Sequence, residues 1–258
     1  EIPHWDAVQK RDRLIGTSIT GWQDAMGLMG WEPHEQTRLL EMMEEAIEQE
    51  VTAYAHVLRI PRPLLDTTVK PEGMLSQVAG GVSSGLHVSH APYYIRRIRI
   101  NATDPLAKVA MTLGWNVNPE VGQTWENART YVIDFPVKSG AKQTREDQTV
   151  DSQFDTYFQF QDKYTRHNSS NTISVRPDEW ERAEERVYAR WDDFVGVSFL
   201  AYDGGSYALA PYEEITQEQY EEMVSKMKAF DPSMLQRWET TGVSEVDESC
   251  ADGACAVR

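Results

Sequence analysis

The stretch TTVKPEGMLSQVAGGVSSGLHVSH occupies residues 67–90. Its opening Thr-Thr-Val favours a strand, Lys70 to Gly73 favour a turn, and residues 74–79 favour a short helix. A strand that turns directly into a helix is the repeating step of α/β folds. Such a turn also exposes backbone N–H groups at the positive end of a helix dipole, which suits an anion. Gly73 lets a ligand approach the backbone closely, and Lys70 adds a charge. The spacing is neither a Walker loop nor GxGxxG, so an ordinary strand–helix turn is the alternative.

Outward from this stretch the same alternation recurs. Residues 14–19 read as a short strand that breaks at Gly21 into a helix. Between Pro33 and the stops Pro61 and Pro63, the residues Leu39, Met43, Ile47, Val51, Tyr54 and Leu58 follow helical spacing. Asp104, Pro105 and Gly114 mark a helix by cap, first turn and end. A strand is expected over RTYVIDFPV, a helix over SQFDTYFQFQDKYTRH, a strand over NTISV, a helix over PDEWERAEERVYARWDDF and a strand over VGVSFLAY. Thr216 with Gln219 forms a capping box for a last helix, with Ile215 as staple on Tyr220. The pattern predicts an α/β architecture with a largely parallel sheet.

The chain has 258 residues, enough for one large domain. Its first residue is Glu1, no apolar leader opens it, and it reads as a piece of a longer polypeptide. No run is long enough to span a membrane. With 41 acidic and 25 basic residues the formal charge is -16, which disfavours nucleic acid and anionic membranes as partners. A phosphate must be held by local dipoles and a few placed cations, against that field.

The two cysteines, Cys250 and Cys255, lie almost at the C-terminus. From about Thr240 the composition is Gly, Ser, Asp and Glu without apolar periodicity, which predicts a flexible tail over residues 240–258, after one domain over residues 1–239. A disulfide there would constrain folded and unfolded chains alike, so it would add little stability. A metal site needs about four ligands, and the tail has no histidine to add to its thiols. Incidental thiols and a dithiol carrying reducing equivalents remain. About 12 flexible residues reach on the order of 20 Å, and a domain of this size has a radius near 18 Å by the usual scaling, about the same length. A cytoplasmic, reducing setting is expected from the sparse cysteines.

Other candidates are weaker. His87 and His90 lack nearby acidic or thiol partners, so no metal is expected there and packed or surface histidines are the simpler reading. Arg96, Arg97 and Arg99 in a strand-like run could face an anion or form the solvated face of an edge strand. Tyr164, Asn168, Ser169, Ser170 and Asn171 could wall a polar pocket or serve as turn and cap chemistry.

Taken in order, RDRLIGTSITGWQDAM, the 67–100 segment ending YYIRRIRI, DPLAKVAMTLGW, HNSSNTISV and CADGACAVR resemble ribonucleotide reductase of the monomeric, adenosylcobalamin-dependent (class II) type. The resemblance implies the C-terminal half of a ten-stranded α/β barrel. It implies reduction of ribonucleoside triphosphates by a cobalamin-initiated thiyl radical, with Cys250 and Cys255 re-reducing an active-site disulfide and being reduced by thioredoxin. It places substrate phosphate on Pro71, Glu72, Gly73, Met74 and Leu75, with Met74 where the family usually has Thr. Adenosylcobalamin is expected near the region after Gly85, with His87, His90, Tyr93 and Tyr94 as candidates, and near Gly204 onward. The radical cysteine, the reducible pair and the nucleotide effector site are expected upstream of Glu1. Two alternatives stand beside this reading: a non-catalytic nucleotide-binding or thiol-relay domain, and a fragment of the class I large subunit, whose tail is similar.

Overall fold

The computed structural model describes residues 2–202 and 208–235. Its helices are α1 (Pro3–Asp12), α2 (Trp22–Met29), α3 (Pro33–Leu58), α4 (Leu75–Val78), α5 (Pro105–Thr112), α6 (Val150–Lys163), α7 (Trp180–Ala189) and α8 (Gln217–Lys226). Its strands are β1 (Tyr93–Asn101), β2 (Val117–Pro119), β3 (Thr130–Lys138), β4 (Thr172–Val175), β5 (Ser198–Ala201) and β6 (Tyr212–Glu214). The chain divides into two compact units, Glu1–Tyr94 with Val137–Ser206 and Ile95–Pro136 with Tyr207–Arg258. The boundary expected at residue 240 lies outside the described residues.

In the first unit, short extended segments run parallel. Bridges join Thr17 to Thr67 and Val69 to Ser169, and β4 pairs with β5 from Thr172↔Ser198 to Val175↔Ala201. Helices cover one face. Val69, Leu86, Trp22, Met26, Leu40, Phe160 and Tyr164 form one core cluster. Val150, Phe154, Tyr157, Phe158, Ile173, Val175 and Ala183 form a second under β4. Helix α6 serves both because its aromatic residues recur at helical spacing, with the Phe160 ring edge-on to Trp22 at 5.1 Å. Arg182 and Arg186 of α7, and Arg190 just past its end, pair with Asp151, Asp155 and Asp162 of α6, and Arg190 also lies 3.9 Å over the Phe158 ring.

Helix α3 begins at a Glu32–Glu35 capping box with Pro33 in its first turn, and ends at Arg59 in a left-handed conformation. Leu39, Met43 and Ile47 pack on the first cluster as their spacing predicts. Tyr54 and Leu58 do not: they are 57% and 50% exposed. A helix of 26 residues is about 39 Å long and outruns the 14-residue α6 on which it packs.

The amide of Gln153 replaces a missing strand. Segment 67–69 is too short to flank all of β4, so the backbone of Ser174 faces α6 instead. Its N–H donates to Gln153 Oε1 at 2.8 Å, and its carbonyl accepts from Nε2 at 2.9 Å.

The second unit holds a four-stranded sheet in the order β2-β3-β1-β6. Here the expectation of a largely parallel sheet is corrected, because β2 and β3 are antiparallel. Only residues 120–129 connect them, and a short link joins antiparallel neighbours, whereas parallel ones need a longer crossover. The Asp104 cap on α5 and the Thr216–Gln219 box on α8 form as read from sequence. Helix α1 and strands β2 and β6 are additions to that reading.

Gln153→Leu should strand two part-buried backbone groups and cost about 1 kcal/mol. Urea denaturation checks this, and an unchanged midpoint would show that the amide is not acting as a strand surrogate.

Candidate functional site

The middle strand of the parallel array, residues 65–69, is bonded on both sides. Thr17 N–H donates to Asp66 O and Thr68 N–H to Thr17 O, while Val69 N–H donates to Asn168 O and Ser170 N–H to Val69 O. Ligands of α/β sheets gather where parallel strands end at their carboxyl side. At that end Lys70 N–H donates to Ser18 Oγ at 2.9 Å, and the chain turns through Pro71–Leu75.

The turn takes a form that the sequence only partly shows. Glu72 takes a left-handed conformation, φ 51°, which costs a residue with a Cβ on the order of 1 kcal/mol. Among the described residues, the N–H groups of Gly73, Met74 and Leu75 have no acceptor. Successive N–H groups beside a left-handed residue form an anion-binding concavity. A Cβ at Gly73 would meet nothing within 4 Å, so the approach is open. The expected helix is real but only four residues long, so it brings no long dipole to the turn. Met74, where the resemblance called for a hydroxyl, is 84% exposed. Ser76, one turn on, ties the loop down: its Oγ donates to Gly73 O at 3.2 Å and lies 3.1 Å from Ser84 Oγ.

Beneath the turn, Glu72 Oε2 is sealed from solvent without a hydrogen-bond partner among the described residues. The buried Tyr164 hydroxyl donates to Thr17 O at 2.9 Å. Burial pushes its pKa up to about 12, with the charges of Glu72 and Asp66 adding to the effect.

The following loop is clamped by α2. The buried Asp24 carboxylate accepts from Ser83 N–H at 3.0 Å and from Ser89 Oγ at 2.9 Å. Thr20 Oγ1 accepts from Gly85 N–H at 3.0 Å and donates to Ser83 O. Gly85 is needed twice over: its φ is +54°, and a Cβ would lie 2.8 Å from Lys70 O. None of this clamp was read from sequence. A lone Asp on a helix carries no signal until the loop it meets is known.

The loop carries the expected cofactor candidates. Burial pulls the His87 imidazole below its ordinary pKa, and burial with nearby Arg145 does the same to His90. The Tyr94 ring is buried against His90 at 6.1 Å, and its hydroxyl donates to Gly81 O. Tyr93 is half-buried, with Lys138 Nζ 5.9 Å from its ring. His87, His90 and Tyr93 are half-buried, while Tyr94 is buried in packing. No metal-binding group of three or more His, Cys, Asp or Glu exists among the described residues.

Other candidates resolve as structure. Arg97 is buried between Asp134 at 2.9 Å and Glu213 at 2.6 Å. Arg96 lies 4.4 Å over the Tyr212 ring, and Arg99 pairs with Glu120. Arg97 and Arg99 are thus paired with carboxylates, and Arg96 with a ring and the carbonyl of Pro211. Ser169 Oγ pairs with Thr165 Oγ1 at 2.8 Å. Cys250, Cys255 and Gly204 lie outside the described residues. No described helix is long and apolar enough to cross a membrane.

No family model matches the chain. The adenosylcobalamin-dependent ribonucleoside-triphosphate reductase of Euglena gracilis is 30% identical over 231 residues, covering 87% of this chain and 31% of that protein. The enzyme of the same name from Lactobacillus acidophilus is 27% identical over 255 residues, 93% of this chain and 34% of its own length. This chain is a relative of the adenosylcobalamin-dependent ribonucleoside-triphosphate reductases. It spans about one third of the length of these reductases. A putative reductase of the same type from Mycobacterium phage D29 matches 97% of the chain at 28% identity. The fold is shared with the crystal structure of a B12-dependent (class II) ribonucleotide reductase at TM-score 0.81 and 21% identity, over 92% of this chain and 36% of that one.

The fold favours the neutral Tyr164 phenol. Its contribution to stability is therefore complete below pH 10.0, the ordinary tyrosine value, and is lost as pH rises through about 12. Ultraviolet titration of tyrosinate should show a late step near that pH that vanishes in Tyr164→Phe. A step that survives the substitution belongs to another tyrosine.

Proposed function

We propose that this chain forms the C-terminal part of an adenosylcobalamin-dependent ribonucleoside-triphosphate reductase, within the later strands of a ten-stranded barrel. The observation that carries the reading is the Pro71–Leu75 turn. It leaves free N–H groups in a row at the carboxyl end of a parallel strand, in a chain related to these reductases over most of its length. A net charge of -16 repels a polyphosphate from most of the surface, so recognition falls to such local dipoles.

In this reading the turn holds a substrate phosphate through the N–H groups of Gly73, Met74 and Leu75. Adenosylcobalamin, when bound, supplies the radical that starts the chemistry. The residues of this chain offered toward it are the half-buried His87, His90 and Tyr93 on the loop that Asp24 clamps. Reducing the ribonucleotide takes two electrons and two protons from an active-site dithiol, leaving a disulfide, the deoxyribonucleotide and water. The thiols of Cys250 and Cys255 then return two electrons and two protons to that disulfide and become oxidised themselves. Thioredoxin restores them by the same exchange.

The test uses a protein of the relatives' full length that contains this chain. It should reduce ribonucleoside triphosphate only with adenosylcobalamin and a dithiol. Gly73→Val should raise KM about tenfold, ~1.4 kcal/mol, by closing the approach to the turn. Cys250→Ser should stop multiple turnover with thioredoxin while sparing turnover with a small dithiol. Loss of both activities would remove the shuttle role, and an unchanged KM in Gly73→Val would remove the turn from substrate binding.

A further inference from the structure

Among the described residues of the second unit, the two most exposed large apolar side chains are Trp125, 58% exposed, and Val121, 57%. Both stand on residues 120–129, the loop that joins β2 to β3. Apolar side chains exposed singly need no account, but two on one loop make a patch.

The loop is stitched to itself. Gln123 Oε1 accepts from Arg129 N–H at 2.7 Å and from Thr130 N–H at 3.1 Å. Asn127 Oδ1 accepts from Thr124 N–H at 2.7 Å, and Gln123 N–H donates to Glu120 O at 2.8 Å. Gly122 supplies a left-handed step, φ +82°. Arg99 of β1 pairs with Glu120 at the base. One side of the Trp125 indole leans on the Tyr131 ring, with centroids 5.5 Å apart. A loop fixed in this way loses little entropy when it binds. An exposed indole on it suits a protein surface, where tryptophan is enriched among the residues that carry binding energy, whereas a small molecule needs a concave site.

The same unit holds the root of the C-terminal tail. Lys228 is gripped at both backbone groups: its N–H donates to Leu113 O at 3.1 Å, and its carbonyl accepts from Trp115 Nε1 at 2.9 Å. From Trp115 to Val121 the chain runs six residues, at most about 21 Å. From Lys228 to Cys250 it runs 22 residues, which as flexible chain reach on the order of 26 Å. The thiols can therefore meet a partner seated on the loop. We infer that the 120–129 loop, through Trp125 and Val121, is the docking surface for the thioredoxin-type reductant that restores Cys250 and Cys255. This rests on the tail being the electron carrier, as proposed above. The docked partner's two thiols close to a disulfide as the Cys250–Cys255 disulfide opens to two thiols, so two electrons and two protons pass. Docking within reach of the arm turns a rare encounter of two small targets into one at high effective concentration.

The test uses a protein of the relatives' full length that contains this chain, with thioredoxin or a small dithiol as reductant. Trp125→Ala should raise KM for thioredoxin about tenfold, with kcat and turnover on the small dithiol within about twofold. Trp125→Phe should recover most of the loss, since a ring remains. Thioredoxin titrated calorimetrically into a Cys250→Ser, Cys255→Ser variant, whose tail cannot exchange, should bind about tenfold more weakly when Trp125→Ala is added. Unchanged KM and affinity overturn the proposal. An equal loss with both reductants, or a lowered melting temperature, also overturns it, because the indole then packs against the rest of the polypeptide. If Cys250→Ser spares thioredoxin turnover while Trp125→Ala still weakens thioredoxin binding, the dock stands and the tail reading falls. If Cys250→Ser stops that turnover while Trp125→Ala changes nothing, the tail reading stands and the dock falls.

Discussion

Two-sided hydrogen bonding of the strand at residues 65–69 is the constraint on which the first unit depends. With 15–17 on one edge and 168–170 on the other, this strand cannot slip by one residue without moving Val69 out of the core and Thr68 into it. Because its register is pinned, its end is pinned too. Lys70 leaves the array at one place, Ser18 meets its N–H there, and the turn that follows has nowhere else to start. The loop beyond is then fixed from a second direction by Asp24 and Thr20. A rigid strand and a buried carboxylate thus hold the two ends of the segment that carries the candidate site.

Charge bears on how the proposed phosphate turn could work. An acidic chain cannot present a broad basic surface without gathering its own carboxylates around it, and its arginines show this. Arg97 is enclosed by Asp134 and Glu213, and α7 lays its arginines along the aspartates of α6. Such pairs leave no net charge for a ligand. Free backbone N–H groups avoid the problem because they attract an anion without attracting the protein's own side chains into salt bridges. The relation to the ribonucleoside-triphosphate reductases is consistent with this economy, since their named substrates are polyanions.

Several elements were legible from local chemistry alone. Asp104 caps α5 and Thr216 boxes with Gln219 because those groups satisfy N–H donors within their own helix. The 67–90 stretch gave strand, turn and short helix in the right order for the same reason. The half-exposed end of α3 was not legible, since periodicity says which residues share a face but not how far the partner surface extends. Nor was the role of Gln153, whose amide matters only because a neighbouring strand stops short.

By itself, the sequence determined the helices with their caps, the strand-to-turn step at Lys70 and Pro71, the acidic balance and the family likeness. Each of these depends on residues near one another in the chain or on composition. Tertiary structure alone decided that Glu72 turns left-handed with a sealed carboxylate oxygen. It also decided that Arg97 and Arg99 meet carboxylates and Arg96 a ring, and that the exposed Lys70 has no carboxylate partner among the described residues. The reason is that a charge has a fate only once its surroundings are assembled: the same lysine is solvated surface or uncompensated cation according to which distant strands close around it.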